Sequence, residues 1–285
     1  MKHYLYTFQT ENEYQTFING QNVPYPNVCY IKNTGMVYFN NGEYDGNATS
    51  LKDFLERDTI EVVIPNGTTS IAEYSFYHWT NMTSVVVPDS VTIAEKGAFT
   101  YCNMLPVENG VRYAGTIAVE MTDGTLNPNL IIKDGTRILQ NFFNDANYGN
   151  QIISATLPNS LISIPESAFN SCSKLVRINS NTDGEWILPI GITSIGKVAF
   201  LNCKGLTSVT IPDSVTSIGQ NAFYSCTGLT SVTCLATTPP TLGNNAFYDN
   251  GTGRKIYVPS ASVNTYKAAS GWSTYASRIE AIPVQ

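Results

Sequence analysis

Short runs of alternating apolar and polar residues recur along the chain, and most of them stop at a proline. The clearest is "SVTIP" at 208–212, where Val209 and Ile211 alternate with Ser208 and Thr210. A period of two predicts a strand with one buried face. Proline ends such a strand because it has no N–H for the ladder. The apolar-proline pair stands at Ile64-Pro65, Val87-Pro88, Leu157-Pro158, Leu188-Pro189 and Ile211-Pro212. A phenylalanine follows each proline by 11 residues, at Phe76, Phe99, Phe169, Phe200 and Phe223. Pro65 to Pro88 is 23 residues, as is Pro189 to Pro212. The segment Ile131–Phe143 fits the frame with Lys133 for the proline and one residue missing, and "NNAFYDN" around Phe247 is a partial last copy. The pattern therefore predicts seven units, each with one strand, a turn such as "DSVTSIG", and at most one helical turn around the phenylalanine.

A unit of 23 residues cannot bury an apolar side alone, but copies stacked on one another can. Three residues before the proline stand Val62, Val85, Leu130, Ala155, Trp186, Val209 and Val232; one before it stand Ile64, Val87, Ile132, Leu157, Leu188, Ile211 and Cys234. Both columns are expected to face the core. Three residues after a repeat phenylalanine stand Cys102, Cys172, Cys203 and Cys226, so five of the six cysteines occupy core columns. They are expected as buried free thiols, since parallel neighbours in a ladder rarely reach disulfide torsions. The phenylalanines are expected to form one stack, and the strands one parallel sheet.

The repeat "LTSVTIPDSVTSIGQNAFYSC" (206–226), its copy "MTSVVVPDSVTIAEKGAFTYC" (82–102) and the ending "IYVPSASVNTYKAASGWSTYASRIEAIP" (256–283) resemble the BspA-like group of leucine-rich repeats. That resemblance implies a leucine-rich-repeat solenoid with a parallel sheet. It also implies the role of an adhesion or protein-binding module, in a family found mostly in surface or secreted proteins of host-associated bacteria and some protists. The expected organisation is an α+β N-terminal cap or attachment module over 1–58, the solenoid over 59–253 with inserts at about 103–130 and 179–187, and a C-terminal cap over 254–285.

The parts outside the frame carry their own signals. "TENEYQTFING" (10–20) predicts a helix with Thr10 as N-cap and Glu13 in the capping box. Val28–Asn40 predicts a hairpin turning at Asn33-Thr34-Gly35, and Ser50–Arg57 a second short helix. Asn109–Thr125 reads as an inserted hairpin, and the eight extra residues around "SNTDGEW" (180–186) as a loop. In the ending, a strand should stop at Pro259, followed by a helix capped by Ser260 or Ser262. Val263, Tyr266, Trp272 and Ile279 should then cover the open end.

Charge and chemistry narrow the function. Of the 285 residues, 42% are apolar and only 13% charged, and the net charge is -6 with 16 basic residues. A nucleic-acid footprint needs clustered Lys and Arg, which are missing. No apolar run is long enough for a membrane span or a signal peptide. The two histidines, His3 and His78, are far apart in sequence, and no cysteine-histidine set has metal spacing. "NTDGE" (181–185) carries part of a calcium-loop ligand series but lacks the distal Glu. No nucleophile-elbow, zinc-protease or phosphate-loop string occurs. The expectation is a non-enzyme without cofactor or metal.

The outward strand face is where function is sought. Two residues before the proline stand Val63, Val86, Ile131, Thr156, Ile187, Thr210 and Thr233; four before it stand Glu61, Ser84, Ser154, Glu185, Ser208 and Ser231. Val63, Val86, Ile131 and Ile187 are apolar where Thr would serve. Three readings stand: β-branched residues simply favour strands, another segment folds over the column, or a protein or glycan partner docks there. In the last case Glu61, Val63, Ser84, Val86, Ile131, Ser154, Thr156, Glu185, Ile187, Ser208 and Thr210 form the face, weighted toward the N-terminal half. The expected setting is secreted or cell-surface. The alternative is a virion protein, attached through 1–58 and presenting the solenoid to a receptor.

Overall fold

The computed structural model describes residues 2–8, 27–31, 36–40, 60–64, 66–122, 127–140 and 149–284. The chain forms two compact units, 1–108 with 112–119 and 109–111 with 120–285. Each contains parallel repeat strands, as stacked units of one sequence must when every strand points the same way.

In the first unit the repeat strands Ile60–Val63 and Met82–Val86 pair in parallel. The strand Lys2–Phe8, which carries no repeat signal, lies beside Ile60–Val63 and is parallel to it. Its other edge takes Asn27–Ile31, which pairs antiparallel with Met36–Asn40 in the register Val28↔Phe39. The predicted 28–40 hairpin is therefore present. The expected helices at 10–20 and 50–57 and the turn at 33–35 lie outside the described residues.

In the second unit eight parallel strands run in the order 129–131, 154–156, 177–178, 185–187, 208–211, 231–234, 255–258 and 279–281. The register is residue-for-residue: Ser208↔Ser231, Val209↔Val232, Thr210↔Thr233 and Ile211↔Cys234. The expectation of one continuous sheet is corrected, because the repeat strands fall into two sheets, one per unit. The insert supplies the reason. The Val86 carbonyl accepts from the Ile64 N–H, so by alternation the Val85 carbonyl faces the opposite edge. There the inserted hairpin turns at Gly115 (φ +59°), so closely that a Cβ would lie 2.6 Å from the Val85 oxygen. The same turn touches Val87, which is half-buried rather than in the core as expected. Every other residue of the two inward columns is buried.

The turn after each proline makes a second ladder that the alternation does not announce. Ser163–Ile164, Ser194–Ile195, Ser217–Ile218 and Thr241–Leu242 pair in parallel, as do Ser70–Ile71 and Ile93–Ala94. The segment around each phenylalanine forms a third, built of turns. Phe200 N–H donates to the Ala222 carbonyl of the next unit, with Val198 donating to Gln220 and Asn202 to Tyr224. The intervening N–H groups close local turns, as Ala199 does onto Gly196 and Leu201 onto Val198. This alternation requires left-handed backbone two residues on either side of the phenylalanine. Ser167 and Ser171, Asn221 and Ser225, and Asn245 and Asp249 all have φ between 54° and 62°.

Small polar residues suit those positions because a left-handed residue crowds Cβ against the following carbonyl. Val198 sits there at φ 47° and is β-branched. Replacing Val198 with Asn should stabilise the protein by about 1 kcal/mol, the lower end of the cost of that conformation. Urea unfolding at 25 °C measures it, and an unchanged or lower midpoint would contradict the assignment of strain.

The repeat phenylalanines stack, but in two runs among the described residues rather than one. Phe76 and Phe99 lie 5.0 Å apart in the first unit. Phe169, Phe200, Phe223 and Phe247 follow at 5.5, 5.1 and 5.3 Å in the second. Between the runs the third sequence unit loses a residue, and its phenylalanine position lies outside the described residues.

The ending makes the strand Lys255–Val258, stopping before Pro259 as expected. A 3-10 turn at Ser260–Ser262, a helix at Val263–Ala268, a second 3-10 segment at Trp272–Arg278 and the strand Ile279–Ala281 follow. The last strand was not foreseen. Ser262 is the N-cap, but its hydroxyl donates to the Thr237 carbonyl instead of accepting from the helix. Tyr266, Trp272 and Ile279 are buried, whereas Val263 is only half-buried.

Candidate functional site

The strands present their outward columns as the two-residue period requires. Val86 is 58% exposed, and Ile131 and Ile187 are also solvent-exposed. Thr156 is exposed, while Val63, Thr210, Ser84, Ser154, Glu185 and Ser208 are half-buried. Among the described residues, nothing covers Val86, Ile131 or Ile187. Glu61 pairs in the ladder with Ser84. The two units divide the eleven residues. Glu61, Val63, Ser84 and Val86 lie in the first, and the remaining seven in the second.

The rim of the second face is polar and internally bonded. The Ser154 hydroxyl donates to Asn129 Oδ1 at 2.7 Å. The insert at 180–186 leaves the sheet after Arg177–Ile178 and re-enters at Glu185–Ile187, so the added residues buy a complete extra strand as well as a loop. Its acidic groups are occupied: Asp183 pairs with Arg177 at 3.0 Å, and Glu185 accepts from the Ser180 hydroxyl. Among the described residues no three His, Cys, Asp or Glu side chains come together as a metal site would need.

The cysteines belong to the core. Cys102, Cys172, Cys203, Cys226 and Cys234 are free and buried. The structure adds a bond invisible in the repeat string: three of these thiols reach back one unit to the carbonyl of the repeat phenylalanine. Cys102 donates to Phe76 at 3.0 Å, Cys203 to Phe169 at 3.2 Å and Cys226 to Phe200 at 3.1 Å. Asn250 takes over for Phe223 at 2.6 Å, and buried Arg254 for Phe247 at 2.7 Å.

Burial pushes the Cys172 and Cys226 thiols up to about 12 and moves Cys203 and Cys234 in the same direction. An unfolded thiol titrates near about 8.5. Between those values the native chain holds protons that the unfolded chain has lost. Stability is therefore complete below about pH 8.5 and falls as pH rises toward 12. Urea midpoints should decline from pH 8 to pH 10, and these five thiols should react with a disulfide reagent only after denaturation. Fast modification of the native protein, or a Cys203–Cys226 link by mass spectrometry, would contradict this.

A further group escaped the sequence reading. Tyr74, Tyr77, His78 and Tyr101 of the first unit are exposed on the phenylalanine turns and in ring contact. The signal was present. At the positions where the other units carry Ser, Asn, Asp or, once, Val198, these two units carry Tyr74, His78 and Tyr101, with Gly97 at the fourth position.

Stacked short strands, turn ladders and a phenylalanine spine define a leucine-rich-repeat solenoid built on parallel sheet. The family model described as "BspA type Leucine rich repeat region" matches residues 51–113 and 184–274 in six copies. The chain belongs to that family. No curated protein matches it. Among solved structures it is similar to a leucine rich cell surface protein of Faecalibacterium prausnitzii, with 21% identity, a TM-score of 0.41, and 82% of this chain and 66% of that chain covered. It is also similar to the pneumococcal vaccine antigen PcpA, with 14% identity, a TM-score of 0.45, and coverages of 78% and 66%. A leucine-rich repeat protein of Bacteroides ovatus shares 20% identity at a TM-score of 0.35, with coverages of 70% and 55%. The chain thus spans 66% of the length of the first two and 55% of the third. Among the described residues, no helix is long and apolar enough to cross a membrane.

Proposed function

We propose that this chain is a non-enzymatic binding module, displayed on a bacterial surface or secreted, that engages a protein or glycan partner through its outward strand faces. The exposure of Val86, Ile131 and Ile187 carries this reading. Apolar residues where the repeat elsewhere offers Thr suit an interface, whose core is apolar and whose rim is polar. Serines, threonines and Glu185 flank these residues as such a rim. Membership of the BspA type family and the likeness to a cell surface protein and a vaccine antigen support the setting.

The test uses Val86→Asp and Ile187→Asp in the full chain, applied to arrays of purified host extracellular proteins and glycans. At least one substitution should abolish binding of an array hit, because few central residues dominate interface energy. Melting should be nearly unchanged, since exposed sites shift stability by less than about 0.5 kcal/mol. Binding that survives both substitutions would remove the strand faces from the reading.

A further inference from the structure

On a surface other than the strand face, we propose that the aromatic cluster of the first unit is a stacking platform for a neutral hexopyranose glycan. The proposal stands whether or not the strand face binds a partner.

Three observations carry it. The first is cost. Tyr74, His78 and Tyr101 have φ of 57°, 63° and 64°, a backbone that bulky side chains rarely adopt. The corresponding positions of the other described units hold Ser167, Asn221, Asn245, Ser171, Asn202, Ser225 and Asp249, which tolerate it, and in one case Val198. Two adjacent units thus concentrate three strained aromatic residues at positions that all other described units but the one with Val198 fill with small polar ones. Strain retained against an available alternative points to a use outside folding.

The second is arrangement. Tyr74 and Tyr101 are 49% and 47% exposed, and Tyr77 is exposed with them. The rings are nevertheless held in place. Tyr77 lies 5.4 Å from Tyr74, 4.4 Å from His78 and 5.4 Å from Tyr101, and His78 lies 4.5 Å from Tyr101. Gly97 occupies the next unit's equivalent of Tyr74, and a Cβ there would fall 2.3 Å from the Tyr74 ring. The missing side chain is the space in which that ring lies.

The third is chemistry. Neighbouring rings in contact leave no hollow between them, so this is not a cage closing round a quaternary ammonium. It is a faceted aromatic surface, in which Tyr77 meets Tyr74, His78 and Tyr101 edge to face at 86°, 65° and 75°, and it carries three phenol hydroxyls and an imidazole. The polarised C–H face of a pyranose is attracted to such π density, while its hydroxyls pair with the phenols and the histidine. The chain's low charge fits a neutral ligand.

Affinity electrophoresis of the full chain tests this, with mannan, β-glucan and galactan as neutral probes, polygalacturonate as a charged one, and choline by calorimetry. Retardation by at least one neutral polysaccharide is expected, with no binding of choline. The triple variant Tyr74→Asn, His78→Asn, Tyr101→Asn should weaken retardation at least tenfold while melting at the same or a higher temperature, because Asn relieves the backbone. Tyr77→Ala, whose backbone is not left-handed, should weaken it independently. Tyr224→Ala in the second unit should leave it unchanged. No retardation by any neutral probe, retardation that survives the triple variant and Tyr77→Ala, or binding of choline instead would overturn the proposal.

Discussion

Replacing Phe200 with Ala should lower the unfolding free energy by about 3–5 kcal/mol, the range for deleting a buried aromatic side chain. Phe200 is fully buried and stacks between Phe169 and Phe223, with Trp186 tilted against it at 5.1 Å. A repeat stack is held by nearest-neighbour interfaces, and this side chain contributes to two of them. The neighbours cannot close over the gap, because the Phe200 N–H is fixed to the Ala222 carbonyl and the Phe200 carbonyl to Cys226. Phe200→Leu should cost less than the alanine variant, because it removes less volume and leaves a smaller cavity. Urea unfolding of both variants measures the difference. A loss below about 1 kcal/mol for the alanine variant would mean that the stack is not the structural spine.

Truncation after Gly253 should lower the melting temperature by about 10 °C or more and cause self-association. The truncation removes the strand Lys255–Val258 and exposes the edge of Ser231–Cys234, which template-pairs with other chains. It uncovers Phe247, which now lies 6.0 Å from Trp272 and 6.1 Å from Tyr275. It also strips partners from three buried carbonyls. Arg254 donates to Phe247, Tyr266 to Ala236 at 2.8 Å, and Trp272 Nε1 to Pro240 at 2.7 Å. Each lost hydrogen bond removes about 0.5–1.5 kcal/mol and the charged one more, on top of the lost apolar burial, and each kcal/mol is worth about 2–4 °C in a domain of this size. Arg254→Ala alone should show the single-carbonyl part of the effect. Calorimetry and sedimentation velocity test both. A truncated chain that stays monomeric and equally stable would refute the reading of 254–285 as a cap.

Much of the architecture was legible in the residues. Each Val or Ile three before a proline had to be buried if its neighbours two and four before were to be wet, and the register Val209↔Val232 follows from the copies being the same length. The thiols were legible as core for the same reason. The burial of the ending's Tyr266, Trp272 and Ile279 could be read from apolarity alone.

What the linear pattern could not carry is whatever depends on two units meeting. The alternation in Met82–Val86 is as good as that in Ser208–Ile211, yet the sheet stops at the former, because a glycine turn from a distant insert sits on its edge. Lys2–Phe8 has no repeat signal, and becomes a strand because Ile60–Val63 offers it an edge to pair with. The bonds from Cys102, Cys203 and Cys226 to phenylalanine carbonyls span residues 26 or 34 apart, and only stacking makes them neighbours.

The candidate faces divide in the same way. Outward Val86 and Ile187 could be named from the period of two, since the direction of a side chain in a strand is local. Their solvent exposure could not, because a covering segment would leave the same sequence. The aromatic cluster lay in plain view as Tyr74, Tyr77, His78 and Tyr101, but its meaning rests on a left-handed backbone imposed by hydrogen bonds to the next unit. Local alternation and repeat length were set by the chain alone. Where the sheets end, which edges are occupied and which rings meet were decided by long-range packing, since those contacts exist only after the units have stacked.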